Sequence, residues 1–175
     1  MTRRYICMAA AALFLGGCAA GRPDSTDLLV IPGVPAFQEQ TRGDDCAGVA
    51  LASLLGHAGI TIAPATIDAA VYDPRLSGAL LADLERFAVG TGVRPRSGRG
   101  SLTELRTLLG SGVPVLVPID LGWGPWHRPH YVVLFGFNEH NFLLHLRAHQ
   151  ITNMTAVEFE RRWTAMGRLW LYLEL

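Results

Sequence analysis

From Cys46 to Ile60 the chain carries no formal charge, and Ala47, Val49, Ala50, Leu51, Ala52, Leu54, Leu55 and Ala58 cover every side of a helical wheel. A helix that is apolar all round has no face to offer water, so the rest of the fold must wrap it. Asp44 or Asp45 can cap its start and Gly59 can end it. The expectation is a domain built around one central buried helix, with Cys46 standing at its mouth.

The segments that would do the wrapping carry their own signals. Pro64 opens a short helix through Ala70. Ser77 precedes Leu80, Leu81, Leu84, Phe87 and Ala88 at helical spacing, and Ser101 with Glu104 makes a capping box before Leu105, Leu108 and Leu109. Arg94, Arg96 and Arg99 lie between these helices in a Gly-rich stretch read as a solvated loop. Further on the period changes. Val113 to Ile119, His130 to Phe137, Phe142 to Arg147 and Leu169 to Leu173 are rich in branched and aromatic residues and bounded by Pro, Gly and Asn, which predicts strands. Asn138 to Asn141 reads as a hairpin turn, and Val34 to Gln38 as a short edge strand. Thr155 and Glu158 cap one more helix, carrying Val157, Phe159, Trp163 and Met166. A helical half packed on an antiparallel sheet half is α+β architecture.

Charge and cysteine usage narrow the class. The 15 basic and 15 acidic residues cancel, which argues against a nucleic-acid binder. At the amino end Arg3 and Arg4, the apolar run Ile6 to Leu15, and Leu15-Gly16-Gly17-Cys18 resemble a bacterial lipobox; the run is shorter than the roughly 20 residues of a membrane helix. Residues 1–17 are therefore read as a lipoprotein signal peptide, 18–33 as a flexible tether and 34–175 as the folded domain. Cys18 would carry the lipid and hold the protein to the cell envelope, facing the periplasm, with the outer membrane the expected location. Cys7 would leave with the leader, so Cys46 remains as a lone thiol in an oxidising compartment.

A thiol at the first turn of a helix feels the positive end of the macrodipole, which favours its anion. Gln40, six residues earlier, can bring its amide beside the Cys46 N–H as an oxyanion hole. His130 opens a strand, where a fixed ring can act as general base and acid. Trp123 and Trp126 precede it in a Gly/Pro-rich loop and could wall a substrate cleft. A competing reading uses His127, His130, His140, His145 and His149 with Cys46 as a zinc or copper site, but their spacing fits no compact metal motif. No metal and no cofactor is expected.

Val34-Pro35-Ala36-Phe37-Gln38-Glu39-Gln40, Asp45-Cys46 with its apolar helix, Pro129-His130-Tyr131-Val132-Val133-Leu134-Phe135-Gly136-Phe137 and Phe159-Glu160-Arg161-Arg162-Trp163 together resemble the bacteriocin-processing peptidases, papain-like cysteine peptidases that cut double-glycine leaders. The resemblance spans residues 34 to 173. It implies a papain-like fold, a peptide or protein substrate, Cys46 as nucleophile, Gln40 in the oxyanion hole and His130 as base. Two departures stand out. Cys46 is followed by Ala47-Gly48 where the family has Cys-Gly-Pro. The family's acidic or amide residue, which orients the histidine, would fall near His145, Leu146 and Arg147. His145 is the candidate orienter there, with Asp120 and Asn153 as more distant alternatives; a peptide-binding module without catalysis is the alternative function.

Overall fold

The computed structural model of the chain describes residues 28–38 and 46–174. Cys18, Gln40, Asp44 and Asp45 lie outside the described residues, as do the leader and most of the expected tether. Among the described residues, the elements in chain order are β1 (Leu29–Val30), α1 (Cys46–His57), α2 (Pro64–Val71), α3 (Leu81–Gly90), β2 (Arg94–Arg99), α4 (Leu102–Gly110), β3 (Val115–Asp120), β4 (Pro129–Phe137), β5 (Asn141–Arg147), β6 (Gln150–Thr155), α5 (Ala156–Ala165) and β7 (Leu169–Glu174). The strands form one antiparallel sheet in the order β2-β7-β3-β4-β5-β6, with β1 pairing on the far end of β4. Five helices on one such sheet make the α+β fold that the sequence predicts.

The uncharged helix is α1, and its position follows from its composition. Val49, Ala50, Leu51, Leu54 and Leu55 are all buried, and they pack with Ile67 of α2, Leu84 of α3, and Leu116, Tyr131, Val133, Leu171 and Leu173 of the sheet. On the opposite face Val115, Val117, Ile119, Val132 and Leu134 meet Leu105 and Leu109 of α4 and Phe159 and Trp163 of α5. Alternate residues of β3 and β4 thus feed two cores. A strand covered on both faces reads as a continuous apolar run rather than as an alternation. Both capping boxes form: Ser101 Oγ accepts from the Glu104 N–H at 3.3 Å, and Thr155 Oγ1 from the Glu158 N–H at 3.2 Å.

Several local expectations are corrected. Val34 to Gln38 is irregular, and the short strand lies earlier, at Leu29–Val30, inside the segment read as tether. Arg94, Arg96 and Arg99 belong to strand β2, at the edge of the sheet against β7, with the Arg96 guanidinium bonded to Glu174 at 2.7 Å. Their side chains stay in solvent while the backbone completes the sheet, a pairing that charge alone does not announce. Ser77 does not cap α3; its φ of 49° places it in a turn, and Leu80 is the residue before the helix. Strand β6 is a further addition, paired along the whole length of β5. No helix among the described residues is long and apolar enough to cross a membrane.

Candidate active site

Cys46 is the first residue of α1 and is 8 % exposed. The first N–H groups of a helix have no intrahelical acceptor and point to whatever lies at its mouth. What lies there is a cavity of about 490 Å3, lined by Cys46, by residues 76–81 leading into α3, by Pro118 of β3, and by His127 to Tyr131. Two sequence-predicted residues, Cys46 and His130, therefore open onto one space. They reach it from opposite layers, one from the central helix and one from the start of β4.

His130 is fixed by its far nitrogen. Its Nε2 lies 2.8 Å from the Leu146 carbonyl oxygen. A carbonyl can only accept, so Nε2 carries the proton, and in the neutral ring Nδ1 is the basic nitrogen. Local strand geometry explains why this carbonyl is open to it. The β4–β5 pairing runs from Phe137–Phe142 to Val133–His145 and goes no further, and on the other side of β5 the register shifts between His145 and Arg147. Leu146 thus sits in an irregularity of its strand, where backbone groups leave the ladder. Burial is the main force pushing the His130 pKa down; the Leu146 bond opposes it, and the nearby Arg128 and Arg147 charges add to the depression. The balance favours the neutral imidazole over the imidazolium.

The orienter expected at His145 is corrected by the same geometry. His145 is buried and stacks on Phe135, centroids 4.3 Å apart, and neither ring nitrogen makes a hydrogen bond. Burial lowers its pKa, with the Val34 main chain close enough to oppose the shift in part. Its apolar surroundings make it a core residue. Asn153 lies across the sheet opposite Leu143. Asp120 is engaged elsewhere: its carboxylate accepts from the Gly122 N–H at 2.7 Å and the Arg128 N–H at 2.8 Å, and meets His127 Nδ1 at 2.5 Å. Arg162 of α5 holds the Asp120 carbonyl at 2.9 Å.

Asp120 thereby ties the neck of the loop that carries the two tryptophans. Trp123 and Trp126 bridge to each other, are 82 % and 70 % exposed, and are not among the residues lining the cavity. The cleft wall expected of them falls instead to Leu76, Leu80 and Leu81 on one side and His127 and Arg128 on the other. At Gly122 a Cβ would run into the Trp126 carbonyl, so the neck closes only around glycine.

Bonding to the Arg128 and Gly122 amides and to His127 lowers the Asp120 pKa from 3.8 to about 2, against burial, which raises it. A carboxylate depressed in the folded state contributes stability that is present above pH 3.8 and lost as the pH falls through 2. Asp120→Ala is expected to cost about 2 kcal/mol at neutral pH and to flatten that acid dependence, as read by denaturant titration between pH 2 and 7.

Sequence reasoning gave no role to Tyr131, although the motif contained it. Its hydroxyl donates to the Ala79 carbonyl at 3.0 Å, pinning the lip at residues 76–81 to the sheet beside Cys46. Burial pushes its pKa well above the ordinary phenol value, and the Cys46 and Asp83 charges add to the rise, so it stays a donor. Among the described residues no group of three or more His, Cys, Asp or Glu side chains gathers to hold a metal.

The fold has solved counterparts. A C39-like peptidase from Bacillus anthracis superposes with a TM-score of 0.69 at 17 % identity, covering 85 % of this chain and 98 % of that one. The peptidase domain of Streptococcus ComA, a bifunctional ABC transporter involved in quorum sensing, gives 0.65 at 21 %, covering 79 % and 96 %. A double-glycine-motif protease from an AMS/PCAT transporter, solved with its leader peptide, gives 0.64 at 17 %, covering 81 % and 92 %. No curated protein sequence matches. Residues 36–169 match the Peptidase C39 family, a span that begins just before the central helix and ends at the start of the last strand. The chain belongs to the Peptidase C39 family of cysteine peptidases.

Proposed function

We propose that the chain cuts peptide bonds with Cys46 as nucleophile and His130 as its acid–base partner. The observation that carries this reading is that both line one cavity while Leu146 holds the His130 ring by Nε2, leaving Nδ1 as the base. Nδ1 takes the thiol proton as sulfur attacks the carbonyl carbon. The oxyanion is received by the Cys46 N–H and the Gln40 amide, donors each worth about 3 kcal/mol of barrier. The protonated ring then gives its proton to the leaving amine. Water, deprotonated by the same nitrogen, releases the acyl group and regenerates the thiol.

The substrate is an extended peptide or protein segment, as suits a cleft with an apolar lip and as the leader-bound relative shows for itself. The lipobox supports an envelope protein tethered through Cys18, acting on peptides outside the cytoplasm. Reaction of the purified full chain with iodoacetamide, followed by peptide mapping, tests the reading. Cys46 is expected to alkylate with a midpoint below the ordinary thiol value of about 8.5, and peptide cleavage to fall in proportion. Stoichiometric zinc uptake that protects Cys46 would favour a metal site. Neither cleavage nor alkylation would leave a peptide-binding module.

A further inference from the structure

The first turn of α1, which carries Cys46, is met by α2. Asp68, on α2, is 8 % exposed, and its Oδ1 accepts from the Gly48 N–H at 2.9 Å. Gly48 belongs to the first turn of α1, two residues after Cys46. The approach is so close that a Cβ on Gly48 would lie 2.5–2.6 Å from the three carboxyl atoms of Asp68. Glycine at this position is therefore the condition for the carboxylate to reach the helix end. Asp68 is the only ionisable side chain of α2, in a helix otherwise made of Pro, Ala, Thr, Ile and Val. Burying a carboxylate is costly unless it is bonded, so its placement against the nucleophile's helix calls for a cause.

The other groups around Cys46 do not duplicate it. β4 brings His130 and Tyr131; the loop before β4 brings His127 and Arg128; β5 brings Arg147, which acts on His130. β3 brings Asp120, which is held by the neck of the loop. α3 brings Asp83, paired with Arg86, and Glu85, taken by Ser97. β7 brings Leu169, Leu171 and Leu173 to this face, none of them charged. Among the described residues, Asp68 is the acid bonded to the first turn of α1.

We infer that Asp68 is a positioning residue for Cys46, fixing the first turn through Gly48 while its negative charge restrains ionisation of the thiol. The amino end of a helix favours an anion, and a carboxylate at the same end takes up that preference itself. A like charge nearby disfavours the second anion. The thiol is then held protonated until His130 takes its proton during attack, and it is less open to oxidation, which follows thiolate content. The inference rests on Cys46 being the nucleophile.

The test is the pH dependence of Cys46 alkylation by iodoacetamide in the full chain, for the unaltered protein and for Asp68→Asn. Asparagine keeps an acceptor for the Gly48 N–H and removes only the charge. The midpoint is expected to drop by roughly one pH unit, with alkylation at pH 6 several-fold faster. Gly48→Ala is the second variant; its methyl displaces the carboxylate with Asp68 still present, and the same downward shift is expected. It carries the test if Asp68→Asn does not fold. A midpoint unchanged in the folded variants overturns the inference. An unaltered protein whose Cys46 alkylates like an ordinary thiol while cutting no peptide defeats the nucleophile reading instead, and the two failures are told apart in one titration.

Discussion

Replacing Cys46 by alanine is expected to lower peptide hydrolysis by about 10^4-fold or more, because a residue that forms the covalent bond has no substitute in the cavity. Among the described residues, the other side chains lining that space are apolar, hydroxylic or basic, and none is a second thiol. Stability should hardly move. Cys46 is buried, and the change removes one sulfur atom from the edge of the main core, a loss of about 1 kcal/mol. The measurement is turnover of a peptide substrate alongside a thermal melt. Hydrolysis surviving at a tenth of its rate in the folded variant would exclude Cys46 as the nucleophile.

His130 should show the next largest effect, with a pattern that separates chemistry from architecture. His130→Ala removes the base and is expected to cost about 10^3-fold in kcat/KM. It also strips the donor from the Leu146 carbonyl, a loss of about 1 kcal/mol in stability. His130→Gln can return a donor to that carbonyl and regain much of the stability, yet it offers no basic nitrogen, so activity should stay as low as in the alanine variant. Leu146→Ala leaves the carbonyl in place and should keep kcat/KM within about threefold. Comparable rates for His130→Gln and the unaltered protein would show that no proton passes through this ring.

What could be read from residues alone follows a physical line. Helix α1 was legible because fully apolar periodicity has one solution, burial, and α4 and α5 on the other face of the sheet were legible from capping boxes at Ser101 and Thr155 that form as written. β3 and β4 were legible as continuous apolar runs. β2 was hidden, because an edge strand of Arg, Pro, Ser and Gly has the composition of a loop and is defined only by its partner β7. In the site, Cys46 and His130 were legible at element ends, and both line one cavity. Near residue 145 the sequence points to a side chain, whereas the His130 ring is held by the main-chain carbonyl of Leu146. Every residue has a carbonyl, so a main-chain acceptor leaves no trace in composition. Asp68 escaped for a different reason: its meaning depends on Gly48, twenty residues away, and on a helix packing that local periodicity does not specify.

Because a peptide oxygen, rather than a carboxylate, holds the His130 imidazole, what orients that ring belongs to the shape of β5. Systematic alanine replacement would pass over it, because the truncation leaves every main-chain carbonyl in place. The identity at position 146 can then change with little penalty, so long as the strand keeps its shifted register, whereas a proline or an insertion nearby that straightens β5 would free the His130 ring without altering that residue.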